Sequence, residues 1–370
     1  MTGALASFLA VLALGAGAPA RAAFSKADAG ASGADFLNIP VDARAAAMAG
    51  AVAASAEGAA ALAWNPAGLA GLSRREVASQ HGSYLGEAQV QRLGFASPLS
   101  AARGTWGLEV MYMSVGSIGR TDVAGADQGS FKPHNLAVGA GYARSLGLWQ
   151  LGGALRFVQS KISKTASTLA LDLGTRLELA PGIDVGAALR HLGPGLTYGQ
   201  RDPLPTALQA GAAWRPRERW LLSADVSLPR DQVPALHLGA ETSLYRAAPA
   251  RIVGRLGYGT RGLGVEGVAG IGFGFGLRWD SRTATLGLDY ATLPTGELGL
   301  THLVGLSYSW GAPASPRLPP PARRAAAPPP PKRPAARPRE QVPYWPAKGE
   351  DWMAPAVPVK RPAPSPSSER

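Results

Sequence analysis

Between Arg75 and Trp310 the chain alternates apolar and polar residues in segments of about 9 to 14 residues, the two-residue period of a strand whose faces meet unlike surroundings. In 283–293, Ala284, Leu286, Leu288 and Tyr290 share one face, while Thr285, Gly287 and Asp289 share the other. In 168–179, Leu169, Leu171, Leu173, Leu177 and Leu179 oppose Asp172, Arg176 and Glu178. The same rule places Leu236, Leu238 and Leu244 opposite His237, Glu241 and Ser243. It predicts about fourteen strands, near 75–84, 89–99, 103–116, 134–147, 148–160, 167–179, 183–192, 205–215, 220–229, 235–245, 250–259, 268–280, 283–292 and 299–310.

The links between these segments are ordered too. Those after even-numbered segments are short, as at 180–182, 216–219 and 281–282, whereas several after odd-numbered ones are long, as at 117–133, 193–205 and 260–267. Short turns at one rim and long loops at the other mark an antiparallel barrel in an outer membrane, with the turns in the periplasm. A soluble β-sandwich also alternates, so the pattern alone does not decide. Length favours the membrane, because soluble strands run to roughly 5 or 6 residues and tilted membrane strands to roughly 9 to 11. Trp149, Trp214, Trp220, Tyr245 and Trp279 lie toward segment ends, where an interfacial girdle takes amphipathic rings. In hydrocarbon an unpaired backbone group costs several kcal/mol, so the sheet has to close. The expected fold is therefore all-β, a transmembrane antiparallel β-barrel of about 14 strands.

Composition divides the rest of the chain. Residues 4–18 form an apolar run too short to span a bilayer, followed by small residues at 20–24, so 1–23 reads as a signal peptide, although no Lys or Arg precedes the run. The 370 residues carry a net charge of +12 and no cysteine, which removes disulfides, thiolate metal sites and cysteine nucleophiles. Much of that charge belongs to the end of the chain, where 312–370 hold 11 Lys/Arg against 4 Asp/Glu and more than half of the 32 prolines. Proline at that density builds neither helix nor ladder, so 311–370 is expected to be a basic, disordered periplasmic tail. The body is closer to neutral, which argues against a nucleic-acid partner.

Residues 34–72 are Ala-rich, with helical turns between breakers at Pro40, Gly50, Gly58 and Pro66. A barrel of about fourteen strands is too wide for wall side chains to fill, so this segment is expected to enter the lumen as a helical hatch spanning 24–74. Asn65-Pro66 is expected to stop its last helix and Gly68 to let the chain turn toward the wall. An ordinary helix terminus before a strand explains that local pattern equally well.

The stretch 33–72, with Phe36, Leu37, Arg44, Met48, Gly50, Ala51 and Asn65-Pro66-Ala67-Gly68-Leu69, resembles the N-terminal signature of PorV/PorQ-type outer-membrane proteins, relatives of the FadL-type long-chain fatty acid channels. The resemblance is sharpest over about 40 residues and implies a 14-stranded barrel with the Asn-Pro-Ala segment in its hatch. Two departures are visible. The chain has Met48-Ala49-Gly50-Ala51 where the family tends toward adjacent glycines, and it adds the proline-rich tail.

No catalytic constellation accompanies this pattern, and no cofactor is expected. His81, His134, His191, His237 and His302 are scattered without metal-ligand spacing. The charged face is more informative, since Glu109, Arg156, Asp172, Arg176, Glu178, Asp184, Arg190, Asp225, His237, Glu241, Arg255, Arg278 and Asp289 would all point inward. Facing lipid near the midplane, such a charge would cost about 2 to 4 kcal/mol. Their expected role is to hold hatch and wall together, with Arg44 the first cation to seek a wall carboxylate; lining a transport path is the alternative. Two functions follow. One is FadL-like passage of hydrophobic or amphipathic molecules; the other is a PorV-like anchor or shuttle, with the tail and its Tyr344, Trp345 and Trp352 contacting periplasmic or secretion-system proteins or wall polymer.

Overall fold

The alternating segments form strands wherever the pattern places them. A computed structural model describes residues 32–84, 88–100, 103–260, 270–294 and 299–312. Its strands are β1 (Arg75–Tyr84), β2 (Ala88–Ser100), β3 (Gly104–Ser114), β4 (Ile118–Thr121), β5 (Asp127–Phe131), β6 (His134–Leu146), β7 (Trp149–Lys161), β8 (Thr165–Ala180) and β9 (Ile183–Leu192). There follow β10 (Leu196–Thr197), β11 (Arg201–Asp202), β12 (Ala207–Arg217), β13 (Trp220–Pro229), β14 (Ala235–Ala247), β15 (Ala250–Gly259), β16 (Ile271–Asp280), β17 (Ala284–Pro294) and β18 (Leu300–Trp310). Fourteen of these close into one antiparallel barrel, in which β1 pairs with β18 from Arg75↔Trp310 to Ser83↔His302. The two short hairpins, β4–β5 and β10–β11, decorate two of the long loops.

Links 147–148, 181–182, 218–219 and 248–249 hold two residues each at one rim, while 115–133, 193–206 and 260–270 cross the other. The first strand begins and the last ends at the short-turn rim, whereas Gly33, near the start of the described segment, lies at the long-loop side, where its amide donates to the Pro203 carbonyl at 2.8 Å. The signal peptide expected at 1–23 and the tail from 313 onward lie outside the described residues.

The two faces differ as the sequence requires. On β17, Leu286 is 53% exposed and Asp289 only 6%. Leu93, Leu108, Leu155, Leu173, Leu256 and Leu306 join Leu286 in an exposed apolar band around the whole cylinder. A surface of that extent would drive association in water, and it matches the lipid-facing belt of a membrane barrel. The expected aromatics Trp149, Trp214, Trp220, Tyr245 and Trp279 all fall toward the short-turn rim, with Trp106 and Trp310 beside them.

The interior is filled by the chain's own N-terminal segment. Its regular pieces are only turns long: 3-10 turns at Asp35–Asn38 and Pro66–Gly71, and helices at Ala43–Ala47 and Ala61–Trp64. Asp42 caps the first helix by accepting from the Ala45 amide at 2.7 Å. That helix ends in two left-handed residues, Ala49 (φ 51°) and Gly50 (φ 84°), with the Gly50 amide returning to the Ala45 carbonyl at 2.8 Å. Ala49 thus occupies a backbone conformation that favours glycine. Isolated helices this short are marginal in water, so the segment owes its order to the wall around it.

Gly68 does not act as expected. The chain turns toward β1 at Leu72, in extended backbone (φ −70°, ψ 125°), and Gly68 lies inside the preceding 3-10 turn. A Cβ there would stand 2.2 Å from the Ala56 carbonyl oxygen, so Gly68 is required by close packing within the segment.

Candidate functional site

The segment and the wall meet backbone to side chain, and in places backbone to backbone. Glycine lines the inner face where the segment approaches most closely. A Cβ on Gly257 would fall 2.3 Å from the Met48 carbonyl carbon, and one on Gly186 would fall 2.4 Å from the Ala53 oxygen. The segment answers with Ala43, Ala46, Ala47, Ala53, Ala59, Ala61 and Ala67, all buried. Met48, fully buried, seats its side chain over Gly239.

Inward-facing polar residues then saturate the segment's backbone groups. Asn65 donates to the Ala53 carbonyl at 2.6 Å and to the Thr175 carbonyl of β8 at 3.0 Å, while its own oxygen accepts from the Ala67 amide at 3.1 Å. Pro66 opens the 3-10 turn, where its missing N–H costs nothing. Asp225 accepts from the Ala53 amide at 2.7 Å, and Gln209 bridges Asp225 and the Gly50 carbonyl, donating to each at 2.7 Å. Ala49 offers its carbonyl to His237 Nδ1 at 2.7 Å, and Ser227 meets Nε2 of the same ring at 2.8 Å. In this way buried polar groups on a segment with little secondary structure find partners.

The charged residues read from the sequence separate into four groups. Near one wall, Arg156 lies between Glu109 and Asp172, paired to Asp172 at 2.7 Å, while Arg92 pairs with Glu109 from the other side. Asp172 also accepts from the His191 amide at 2.6 Å, and Arg156 reaches the Leu62 carbonyl at 3.3 Å. Across the lumen, Arg44 pairs with Glu241 at 3.0 Å and donates to the Ser55 carbonyl at 3.0 Å. Glu241 is shared with Arg255 at 2.7 Å; Arg255 and Arg278 each pair with Asp289 at 2.7 Å. At the short-turn mouth Arg176 pairs with Asp184 at 3.0 Å, and Arg215 joins them. Arg190 and Asp225 form the fourth group through Gln209, with the Arg190 guanidinium 5.3 Å from the Trp64 ring. Glu178 stands exposed near the mouth, apart from these groups.

Several contributors were not singled out in the sequence. Arg92 follows from strand parity, because it alternates with Val90 and Gly94 on the inner face. Gln209, Ser227 and Gln80, which accepts from the Ala43 amide at 3.3 Å, carry no signal beyond being polar and inward. Trp64 is placed only by the segment's path.

The segment divides the lumen. On the long-loop side lies a cavity of about 900 Å³, whose lining includes Phe36, Ile39, Trp64, Tyr84, Met113 and Leu293 together with Lys161 and Arg190. On the short-turn side lies one of about 790 Å³, lined by charged residues such as Arg44, Glu57, Glu76, Arg251 and Arg278. Among the described residues none lines both. The first, whose lining also holds Asp35 and Asp202, can hold a molecule with an apolar body and a polar end; the second is wet and ionic.

No protein-family model matches the chain, and a search of curated proteins likewise returns no match. Among solved structures the chain is similar to the Pseudomonas putida toluene transporter TodX, with a TM-score of 0.52 and 14% identity over 72% of this chain and 97% of that one. A second structure of that transporter gives 0.52 and 12% over 73% and 98%. A Pseudomonas aeruginosa FadL homologue gives 0.47 and 11% over 74% and 98%. The two TodX structures show that the chain shares their overall fold.

Proposed function

We propose that the protein is an outer-membrane channel for hydrophobic or amphipathic molecules and that residues 32–72 are its hatch. The observation that carries this reading is the pair of cavities with no shared lining among the described residues, separated by a segment tied to the wall through hydrogen bonds, ion pairs and several separate small apolar clusters. The cavity on the long-loop side receives the molecule from outside; Trp64 and Arg190 form its floor. Passage requires the segment to shift, since its backbone fills the bore between the two cavities. The short-turn rim, at which the last strand ends, then faces the periplasm. The TodX likeness supports a transport role at the level of fold, and the apolar lining of the outer cavity supports the substrate class.

The test uses a lock. The chain lacks cysteine, and a Cβ on Gly259 would lie 3.7 Å from the Ala49 Cβ, within the range a disulfide spans. Ala49→Cys/Gly259→Cys, oxidised in proteoliposomes, is expected to abolish uptake of a monoaromatic hydrocarbon or a long-chain acid, with reduction restoring it. Uptake that proceeds unchanged through the oxidised barrel would refute the hatch reading.

A further inference from the structure

Charge is distributed unevenly between the two rims. At the long-loop rim the basic residues are offset by Asp122, Asp127, Asp202 and Asp231. At the short-turn rim arginines dominate. Arg103, Arg219 and Arg282 sit exposed on the turns, and Arg75, Arg144 and Arg217 sit exposed at strand ends. Among the described residues Glu218 is the one carboxylate on these turns, paired to Arg246 at 3.5 Å, and Glu178 and Asp280 stand exposed at strand ends, fewer than the arginines around them.

Register shows where the strand-end arginines face. Arg75 lies opposite Trp310, Arg144 opposite Leu151 and Arg217 opposite Trp220, each partner on the outward, lipid-side face. Each cation therefore stands at the edge of the apolar band beside a bulky apolar or indole side chain. An arginine there lays its stem along the band and holds its guanidinium at the depth of the lipid headgroups. Its planar fork matches two phosphate oxygens, which an ammonium does not. At Arg75 the seat is shaped: a cavity of about 350 Å³ lies between Arg75, Pro98, Leu99 and Trp310. Its walls carry polar and apolar surface in similar measure, with Pro98, Leu99 and Trp310 beside Gly311, Ala312 and a single cation, an arrangement that can take a phosphodiester next to an acyl chain.

We infer that the short-turn rim is a headgroup-reading collar, in which Arg75, Arg144 and Arg217 bind the phosphates of anionic phospholipids in the leaflet they meet, with the Arg75 cavity as the best-formed seat. The inference rests on the barrel spanning a bilayer but not on what passes through it. It gives the collar a task separate from transport: fixing the depth and tilt of the barrel and selecting its lipid annulus.

The experiment uses the full chain in neutral detergent mixed with phosphatidylcholine and phosphatidylglycerol, counting the lipids retained by native mass spectrometry. Wild type is expected to retain phosphatidylglycerol over phosphatidylcholine by roughly five-fold per arginine seat, the factor that corresponds to one cation near an anionic surface. Arg75→Gln/Arg144→Gln/Arg217→Gln should lose that preference, and Lys132→Gln/Lys164→Gln at the other rim should keep it. Equal retention of both lipids by wild type, or an unchanged preference in the triple variant, overturns the inference. If the triple variant fails to insert, Arg75→Gln alone should lose about one seat's preference, and no loss is again fatal. Displacement of the lipid by inorganic phosphate would assign the site to the free anion. A preference that emerges only when 313–370 are deleted would assign the cavity to the chain's own tail.

Discussion

Replacing Asn65 separates the seat of the segment from the stability of the barrel. Its side chain is 1% exposed and makes three hydrogen bonds, to the Ala53 and Thr175 carbonyls and from the Ala67 amide. Asn65→Ala leaves three polar groups each short of a partner, at about 1 kcal/mol apiece where water can partly replace the loss, so about 3 kcal/mol in all. That free energy falls on the segment alone, because the barrel's ladder does not pass through Asn65. An opening equilibrium weakened by this amount becomes roughly a hundredfold more populated. Hydrogen exchange read by mass spectrometry in detergent micelles measures it directly: amides in 53–67 should exchange roughly a hundredfold faster, and strand amides at the wild-type rate. Asn65→Asp sharpens the test. The aspartate keeps the oxygen that caps Ala67 but turns an acceptor toward two carbonyls, so its exchange should be at least as fast as the alanine variant's. Wild-type exchange in both variants would refute the assigned bonds, and equal acceleration throughout the strands would show that segment and wall open as one unit.

Two further outcomes test the charge assignments. Arg156→Met strands Asp172 and half of Glu109 without a cation in a buried site, so urea unfolding should show a loss of about 3 to 5 kcal/mol. Adding Asp172→Asn should recover most of it, because the amide oxygen still accepts from His191; a double variant less stable than the single one would contradict the pairing. Burial and the neighbouring Asp231 push the Asp35 carboxyl up to about 6. A folded value above the unfolded one penalises the folded state as pH rises from the ordinary 3.8 toward about 6, where the penalty is complete, and leaves no penalty once both states are protonated. Protection of amides 33–38, corrected for intrinsic exchange, should therefore fall as pH rises from 3.8 to about 6 and level off above it, and Asp35→Asn should flatten the profile. A flat wild-type profile would remove Asp231 from the account.

The wall was almost wholly legible because each strand states its own faces. Leu286 and Asp289 differ in exposure for the same reason that they differ in parity, and that parity also sends Arg156, Asp172 and Arg255 inward. Strand ends were legible to within a few residues; the predicted 205–215 begins at Ala207 because the prolines at 203 and 205 cannot donate to a ladder. The segment was less legible. Its alanines and breakers indicate a filler of the lumen, while the carboxylate that Arg44 meets, Glu241, and the turn at Leu72 instead of Gly68 are visible only in the structure.

By itself the sequence determined which residues meet lipid and which meet the bore, how many strands the wall needs, and which rim carries the long loops. These are local properties, fixed by a period of two and by link length. Only the closed structure decided that Arg44 meets Glu241, 197 residues away, that Asn65 reaches Thr175, and that Gly186 and Gly257 yield their Cβ positions to the segment's backbone. Such contacts depend on register summed around the whole cylinder, and no stretch of chain contains that information until the first strand has paired with the last.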